Sequence, residues 1–164
     1  MQDTLDKDAL VLLEADHAGI RSLLARLASA VEAPDGNAAA VMLELSSAMR
    51  VHARIEEVLF YPAFLAAAEV ADDVRLFHRA VAEHALAEQA LTAVENQEAL
   101  APEQVRALVT IVEEHVKAEE ATLFARMRAV VDASKLLELG GRIEQFRTEL
   151  TRTAAGSNSS TWQG

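Results

Sequence analysis

Hydrophobic residues recur every three or four positions along most of this chain, which is the spacing that places side chains on one face of an α-helix. The first such segment extends from about Asp6 to Glu32 and ends at the turn-forming residues Pro34-Asp35-Gly36-Asn37. The second continues past Pro62, where we expect a kink because proline lacks a backbone N–H, and ends near Glu69. The pattern therefore predicts a helical hairpin in the first half of the chain.

The second half of the chain predicts another hairpin of long helices. The third helix follows a cap at Asp72 or Asp73, and the fourth begins at Pro102, a residue that suits the first turn of a helix. Short connections between long helices make neighbours antiparallel. The sequence therefore predicts an all-α fold, an up-down-up-down antiparallel four-helix bundle.

A short fifth helix is predicted at the C-terminal side of this bundle. Ser134 can cap it, and it extends to about Arg152, although Gly140-Gly141 weakens it. Residues 1–152 would form one domain, because a chain of 164 residues has the size of a single ordinary domain. We expect the tail at 153–164, which is rich in small polar residues, to be disordered.

The apolar face of each long helix is interrupted by histidine or glutamate. Counted from the hairpin turns, His17, His52, His84 and His115 lie at similar heights, since a helix rises about 1.5 Å per residue. A buried histidine is often only a hydrogen-bonded core residue. Six ionisable groups in one layer of a core would however be costly without a bound ion, so the arrangement favours a metal site.

The ligand residues also form an internal repeat, H-x-x-x-E-E, at His52–Glu57 and again at His115–Glu120. Residues four positions apart share a helix face, so the histidine and the first glutamate of each string can reach the same metal. Four imidazoles and two carboxylates exceed the needs of one tetrahedral zinc and suit two divalent or trivalent ions. The predicted metal ligands are His17, His52, Glu56, His84, His115 and Glu119.

Four further residues are candidates for a metal ligand or for an outer hydrogen bond to one. Glu88 lies one helical turn after the histidine of the third helix, where it would be either a terminal ligand or a surface residue. Tyr61 falls on the far side of an ideal helix, unless the neighbouring proline changes the helix path. Glu57 and Glu120 lie about 100° around the helix from the predicted ligands Glu56 and Glu119. Each of them is therefore either solvated or bonded to an imidazole. His78 is predicted to be a surface or boundary residue.

Composition narrows the functions that this chain could have. It contains no cysteine, which excludes thiolate sites, iron–sulfur clusters and disulfides. A formal charge of −11 argues against nucleic-acid or anionic membrane partners. The acidic N-terminal residues do not resemble a signal peptide, and no stretch long enough to span a membrane is free of charge, so we expect a cytoplasmic protein.

Four segments, Leu13–His17, His52–Pro62, Glu83-His84 and His115–Glu120, together resemble the haemerythrin-like family, also called HHE cation-binding domains. The resemblance covers about residues 6–131. It implies a non-haem di-iron centre of the Fe–O–Fe type. In that centre Glu56 and Glu119 are bridges, His17 and His52 belong to one iron, and His84 and His115 belong to the other. Manganese and zinc accept the same donor types, so the residues alone do not separate these metals from iron.

The resemblance implies a small diatomic molecule or a peroxide as ligand. Oxygen carriers of this family have paired histidines on the third helix and an aspartate bridge, whereas this chain has Glu88 and Glu119. With these two glutamates the chain is similar to bacterial and mycobacterial haemerythrin-like proteins, some of which decompose peroxide. The resemblance therefore implies a di-iron protein that reacts with peroxide, oxygen or nitric oxide. If it is an enzyme, the activity is catalase-like or that of another di-iron oxidoreductase.

Two other functions stay open at this point. The chain could be an oxygen-sensing, redox-sensing or iron-binding module that performs no turnover. It could also be a ferritin-like carboxylate oxidase, but that pattern needs an E-x-x-H pair on two helices, and Glu14-x-x-His17 is the single match.

Overall fold

The computed structural model describes residues 7–33, 36–97 and 99–157, and nearly all of them are helical, with no strand in these ranges. Pro34 and Asp35 of the expected first turn lie outside the described residues. Within the described ranges, no helix combines the length and apolar character needed to cross a membrane. The elements are α1 (Ala9–Glu32), α2 (Ala38–Ile55), the π-helical segment π1 (Glu56–Phe60), α3 (Tyr61–Ala67), α4 (Ala71–Glu95), α5 (Pro102–Glu119), the π-helical segment π2 (Glu120–Phe124), α6 (Ala125–Val130) and α7 (Ala133–Ser157).

The nine segments form five helical rods. α2, π1 and α3 follow one another without a break, and so do α5, π2 and α6, so each trio acts as one long helix. α1 packs against α2 and α5, and α4 packs against α5, while α2 and α4 make few contacts with each other. The predicted all-α helical bundle is confirmed, and one of its faces, between α2 and α4, is loosely closed.

The bundle contains two hydrophobic clusters with the histidines between them. Along α1, Leu13 belongs to the first cluster and Ile20 to the second, and His17 lies between these two residues. The first cluster is rich in aromatic side chains, including the fully buried Phe60 and Phe64. Each buried side chain of this size contributes about 1.5–3 kcal/mol through removal from water. The two clusters thus hold the polar layer in place from both sides.

The fifth helix is longer than expected. α7 has 25 residues and extends past the predicted end at Arg152 to Ser157, and residues 158–164 of the predicted tail lie outside the described residues. Gly140 does not shorten the helix but lets it approach the start of α1, since a Cβ at this position would collide with the carbonyl oxygen of Lys7. The buried side chain of Ile143 completes this contact with the first hydrophobic cluster.

Asp73 fixes the start of α4, although it is not the cap residue itself. The helix begins at Ala71, and the Asp73 carboxylate accepts hydrogen bonds from the backbone N–H groups of Glu69 (2.9 Å) and Val70 (3.2 Å). Arg126 of α6 donates to the same carboxylate at 2.6 Å and 3.1 Å. These bonds, that of Arg126 foremost, lower the pKa of Asp73 to about 2.

Candidate metal centre

Both H-x-x-x-E-E strings lead directly into π-helical turns. π1 begins at Glu56, and π2 begins at Glu120, so the repeat seen in the sequence is also a repeat of backbone shape. A π-helical turn contains one extra residue, which rotates every following side chain by about 100° relative to an ideal α-helix. Tyr61 and Phe124, each nine residues after the histidine of its string, are both turned into the core.

The six predicted ligand residues come together in the interior of the bundle. Two groups of side chains each offer donor atoms within 4.8 Å of one another; one is His17, His52, Glu56 and Glu119, and the other is Glu56, His84 and His115. The groups share Glu56, whose Oε2 lies 3.2 Å from His52 Nε2 and 2.7 Å from His84 Nε2. Glu119 Oε2 lies 3.4 Å from His17 Nε2 and 3.7 Å from His115 Nε2. The two carboxylates therefore lie between two pairs of imidazoles.

Several inward-facing atoms of this cluster lack a hydrogen-bond partner. Among the described residues, Glu56 Oε1, Glu119 Oε2 and His115 Nε2 are buried without one. Each such atom costs about 1–3 kcal/mol when it is left unsatisfied. A cation among these oxygen and nitrogen atoms would satisfy them together, so the cluster fits a metal that prefers imidazole and carboxylate donors.

The charges in the cluster are strongly coupled. Burial alone would lower the pKa of His52, but the Glu56 charge and the hydrogen bonds with Asp16 and Glu56 raise it to about 10. Burial opposes ionisation of Glu56 as well, yet the His52 charge holds the pKa of Glu56 well below its usual value. Burial and the Glu56 charge raise the pKa of Glu119. Imidazole and carboxylate donors must be deprotonated to hold a metal, so metal binding at this cluster would release protons.

The outer nitrogen of each imidazole, Nδ1, faces a carboxylate. The partners follow the repeat. Asp16 and Glu83, which each precede the first histidine of their half, face the second histidine of that half. Glu57 and Glu120, which follow Glu56 and Glu119, face the first histidine of the opposite half. A carboxylate partner of this kind fixes the orientation and raises the basicity of a metal-binding imidazole. His84 is the exception, because its Nδ1 makes no hydrogen bond to the described residues and Glu57 is 3.9 Å away. The Nδ1-to-carboxylate distances are 3.4 Å for His52–Asp16, 3.3 Å for His115–Glu83, 2.9 Å for His17–Glu120 and 3.9 Å for His84–Glu57.

Three of these carboxylates are themselves contacted by arginine, and the longest of the contacts is that of Arg21 with Glu120 at 3.5 Å. Arg147 of α7 donates two hydrogen bonds to Asp16, each of 2.8 Å. In the other half, Arg79 donates to Glu83 at 2.7 Å from one turn earlier in α4. No sequence pattern pointed to Arg147, because α7 lies outside the repeat. The structure thereby connects the C-terminal helix to the candidate metal ligand His52 through one carboxylate.

Tyr61 is part of the centre. It is 1% exposed, and its hydroxyl lies 3.0 Å from Glu119 Oε1 and 3.4 Å from Glu56 Oε2, so it can donate to either carboxylate. Burial and the charges of Glu56 and Glu119 raise the pKa of Tyr61, which keeps the hydroxyl protonated as a donor. The π-helical turn before it, and not a kink at Pro62, brings it inward.

The structure does not bring Glu88 into the cluster. Its side chain is 54% exposed and faces Arg50 of α2 at 3.8 Å, because Arg50 lies across the loosely closed face and attracts both Glu88 and Glu95. Glu57 is half-exposed at the edge of the centre, and His78 is exposed as expected. Phe124, which stacks on His17 at 5.5 Å between ring centroids, was missed, although extending the repeat to Tyr61 would have found it.

A cavity of about 440 Å³ opens between α2 and α4 and reaches the centre. Its inner end is formed by Tyr61, His52, His84 and His115, and most of its walls are apolar. A ligand can therefore approach the cluster from the solvent without displacing a helix.

The fold and the site define this chain as a helical-bundle protein with a buried His/Glu cluster that could hold cations. The sequence profile of the haemerythrin HHE cation-binding domain matches residues 8–127, and the chain belongs to this family. A crystal structure of a haemerythrin HHE cation-binding domain-containing protein from Mycobacterium kansasii superposes with a TM-score of 0.71 and 26% sequence identity, covering 87% of this chain and 89% of that one. No curated protein gave a significant match.

Proposed function

We propose that this protein binds two iron ions in the His/Glu cluster and that peroxide, oxygen or nitric oxide reacts there. The observation that carries the proposal is the pair of overlapping donor groups, which share Glu56 and together contain four imidazoles and two carboxylates. One ion would lie among His17, His52 and the carboxylates, and the other would lie beside His84 and His115. Membership of a cation-binding family supports the same proposal.

The side chains around the cluster suit a small reactive ligand. Bound iron would supply one-electron redox chemistry and polarise the oxygen atoms of a ligand. The Tyr61 hydroxyl, which donates to Glu119, lies at the inner end of the cavity, where an arriving peroxide or dioxygen would compete with that carboxylate for its hydrogen bond. Most of the cavity wall is apolar, which favours a neutral ligand over a charged one. The chain itself therefore provides access and a hydrogen-bond donor in mostly apolar surroundings.

Metal analysis of matched variants tests the ligand assignment. We expect protein purified without added metal to contain two iron ions per chain by elemental analysis. His52→Ala and His115→Ala should each lose metal and stability, because the remaining ligands become buried groups without their ion. His78→Ala is the control, since this histidine is exposed, and its metal content should be unchanged. Retention of two ions by either ligand variant would contradict the assignment.

Release of oxygen from hydrogen peroxide tests the reactivity. The iron-loaded wild type should evolve oxygen, whereas His115→Ala should not. Iron binding without any peroxide, oxygen or nitric oxide reaction would instead identify a binding or sensing module.

A further inference from the structure

The cavity between α2 and α4 is much larger than the small ligands of the proposed function require. Its volume is about 440 Å³, whereas a water molecule, which is close to peroxide in size, occupies about 30 Å³. An apolar cavity of about 150 Å³ can bind benzene, and this cavity has roughly three times that volume. The space therefore admits an organic molecule.

The chemistry of the lining is divided along the cavity. The walls are mostly hydrophobic and come from four helices, with Ile20 on α1, Met49 on α2, Ala87 on α4, and Val112 and Val116 on α5. The inner end is polar, because His84, His115 and Tyr61 lie there. A ligand that fits both regions has an apolar body and one small polar group directed toward the cluster.

The charges near the mouth disfavour a charged ligand. Arg50 is held by Glu95 at 2.9 Å and faces Glu88, so its charge is compensated. Arg54 and Glu57 at the same mouth carry opposite charges. A charged group beyond the mouth would have to enter apolar surroundings, which is costly. The occupant should therefore be neutral.

We propose that this cavity binds a neutral organic hydroperoxide, R–O–O–H, with an aromatic or branched alkyl group against the apolar walls and the peroxide group beside His84 and Tyr61. This inference rests on the proposed function for the choice of a peroxide, while the size and neutrality of the ligand follow from the cavity. The exposed Val81, which is 42% accessible at the cavity edge, extends the apolar surface that such a molecule would meet on entry.

Titration calorimetry with cumyl alcohol, the unreactive alcohol analogue of cumene hydroperoxide, tests the inference on the metal-containing protein. We expect saturable binding of one molecule per chain, and no binding of benzenesulfonate, which has a similar ring but a negative charge. Ala85→Phe should weaken the binding by about tenfold or more, because Ala85 lines the cavity and a benzyl group there would fill its mouth. Ala82→Phe is the matched control on the same helix, since Ala82 is exposed and does not line the cavity. Both sites are on the surface, so both variants should fold, and metal content is measured for each.

The outcomes separate this inference from the proposed function. Absence of saturable binding, equal binding of benzenesulfonate, or binding that Ala85→Phe does not alter would overturn the inference. If hydrogen peroxide is decomposed but cumyl alcohol does not bind, the inference fails and the proposed function stands. If cumyl alcohol binds as described but no peroxide reacts, the organic binding site stands and the proposed function fails.

Discussion

Arg147 offers a sharp test of whether the C-terminal helix contributes to the candidate metal centre. Its guanidinium donates two hydrogen bonds of 2.8 Å to Asp16, and Asp16 Oδ2 lies 3.4 Å from Nδ1 of His52. Both partners are largely covered, with side-chain exposures of 31% and 16%. Replacing Arg147 with glutamine removes the positive charge and leaves Asp16 free to turn away from His52.

The expected loss has two parts. Charge-assisted hydrogen bonds stabilise a protein by about 1.5–3 kcal/mol, and partial exposure reduces this to about 1 kcal/mol of unfolding free energy for the Arg147→Gln variant. Removing an outer partner of a metal-binding histidine typically lowers metal affinity about 10- to 100-fold. Arg147 acts on His52 only through Asp16, so we expect the lower end of this range for the Arg147→Gln variant. A loss of about tenfold in metal affinity equals about 1.4 kcal/mol of binding free energy.

Competition with a chelator measures the metal affinity, and chemical denaturation of the metal-free form measures the stability. Arg79→Gln is the matched control, because Arg79 bonds Glu83 in the equivalent place but is 58% exposed and lies on the same helix as its partner. We expect that variant to lose less than about threefold in affinity, as exposed ion pairs contribute little. Equal affinities for Arg147→Gln and the wild type would refute the reasoning. Equal losses in both variants would also refute it, since the effect would then not depend on α7.

Three further substitutions test other contacts. Tyr61→Phe should lower the unfolding free energy of the metal-free form by about 1–3 kcal/mol, seen as a lower melting temperature, because buried carboxylates lose a donor. Asp73→Asn should destabilise the protein above pH 4, and the difference from wild type in thermal melts should vanish as the pH falls toward 2, since the folded-state pKa is about 2 and the unfolded value is higher. Gly140→Ala should destabilise by about 1–3 kcal/mol in denaturation curves, because its Cβ would meet the backbone at the start of α1.

Each of these substitutions has an internal comparison. The Tyr61→Phe loss should be smaller when metal is bound, and an equal loss would mean that the hydroxyl is not satisfying the carboxylates of Glu56 and Glu119. Asp72→Asn, at a 72% exposed position, should show little effect at any pH, in contrast to Asp73→Asn. A Cβ at Gly141 would meet no atom of the described residues within 4 Å beyond the backbone of its own helix, so Gly141→Ala should be neutral or stabilising. Similar destabilisation at both glycines would rule out the close approach as the cause.

The helical bundle could be predicted because its signal is local. The three-to-four spacing of apolar residues along α1, and its interruption by His17, are readable without any knowledge of neighbouring helices. The candidate ligands could be predicted for a related reason, since the H-x-x-x-E-E repeat places His52 and Glu56 on one helix face. Both inferences need only the α-helical period and a count of residues from the turns.

The parts that could not be predicted depend on departures from that period or on distant contacts. Tyr61 lies inward because a π-helical turn precedes it, and an ideal helix places it on the opposite side. Glu88 has the correct spacing from His84, but Arg50 on another rod draws its carboxylate to the surface. Arg147 reaches Asp16 from 131 positions away in the chain, where no spacing rule applies.

The four imidazoles of the cluster are chemically unequal, and they differ in whether the cavity reaches them. At the equivalent positions of the repeat, Phe124 stacks on the fully buried His17, whereas the Tyr61 hydroxyl faces the carboxylates of Glu56 and Glu119. α7 packs over α1 and α2, while the face between α2 and α4 stays loosely closed. The cavity accordingly reaches His52, His84 and His115 but not His17. Glu88 lines the cavity but faces Arg50 and does not close it, so three of the four imidazoles can be reached from this face, while His17 stays enclosed.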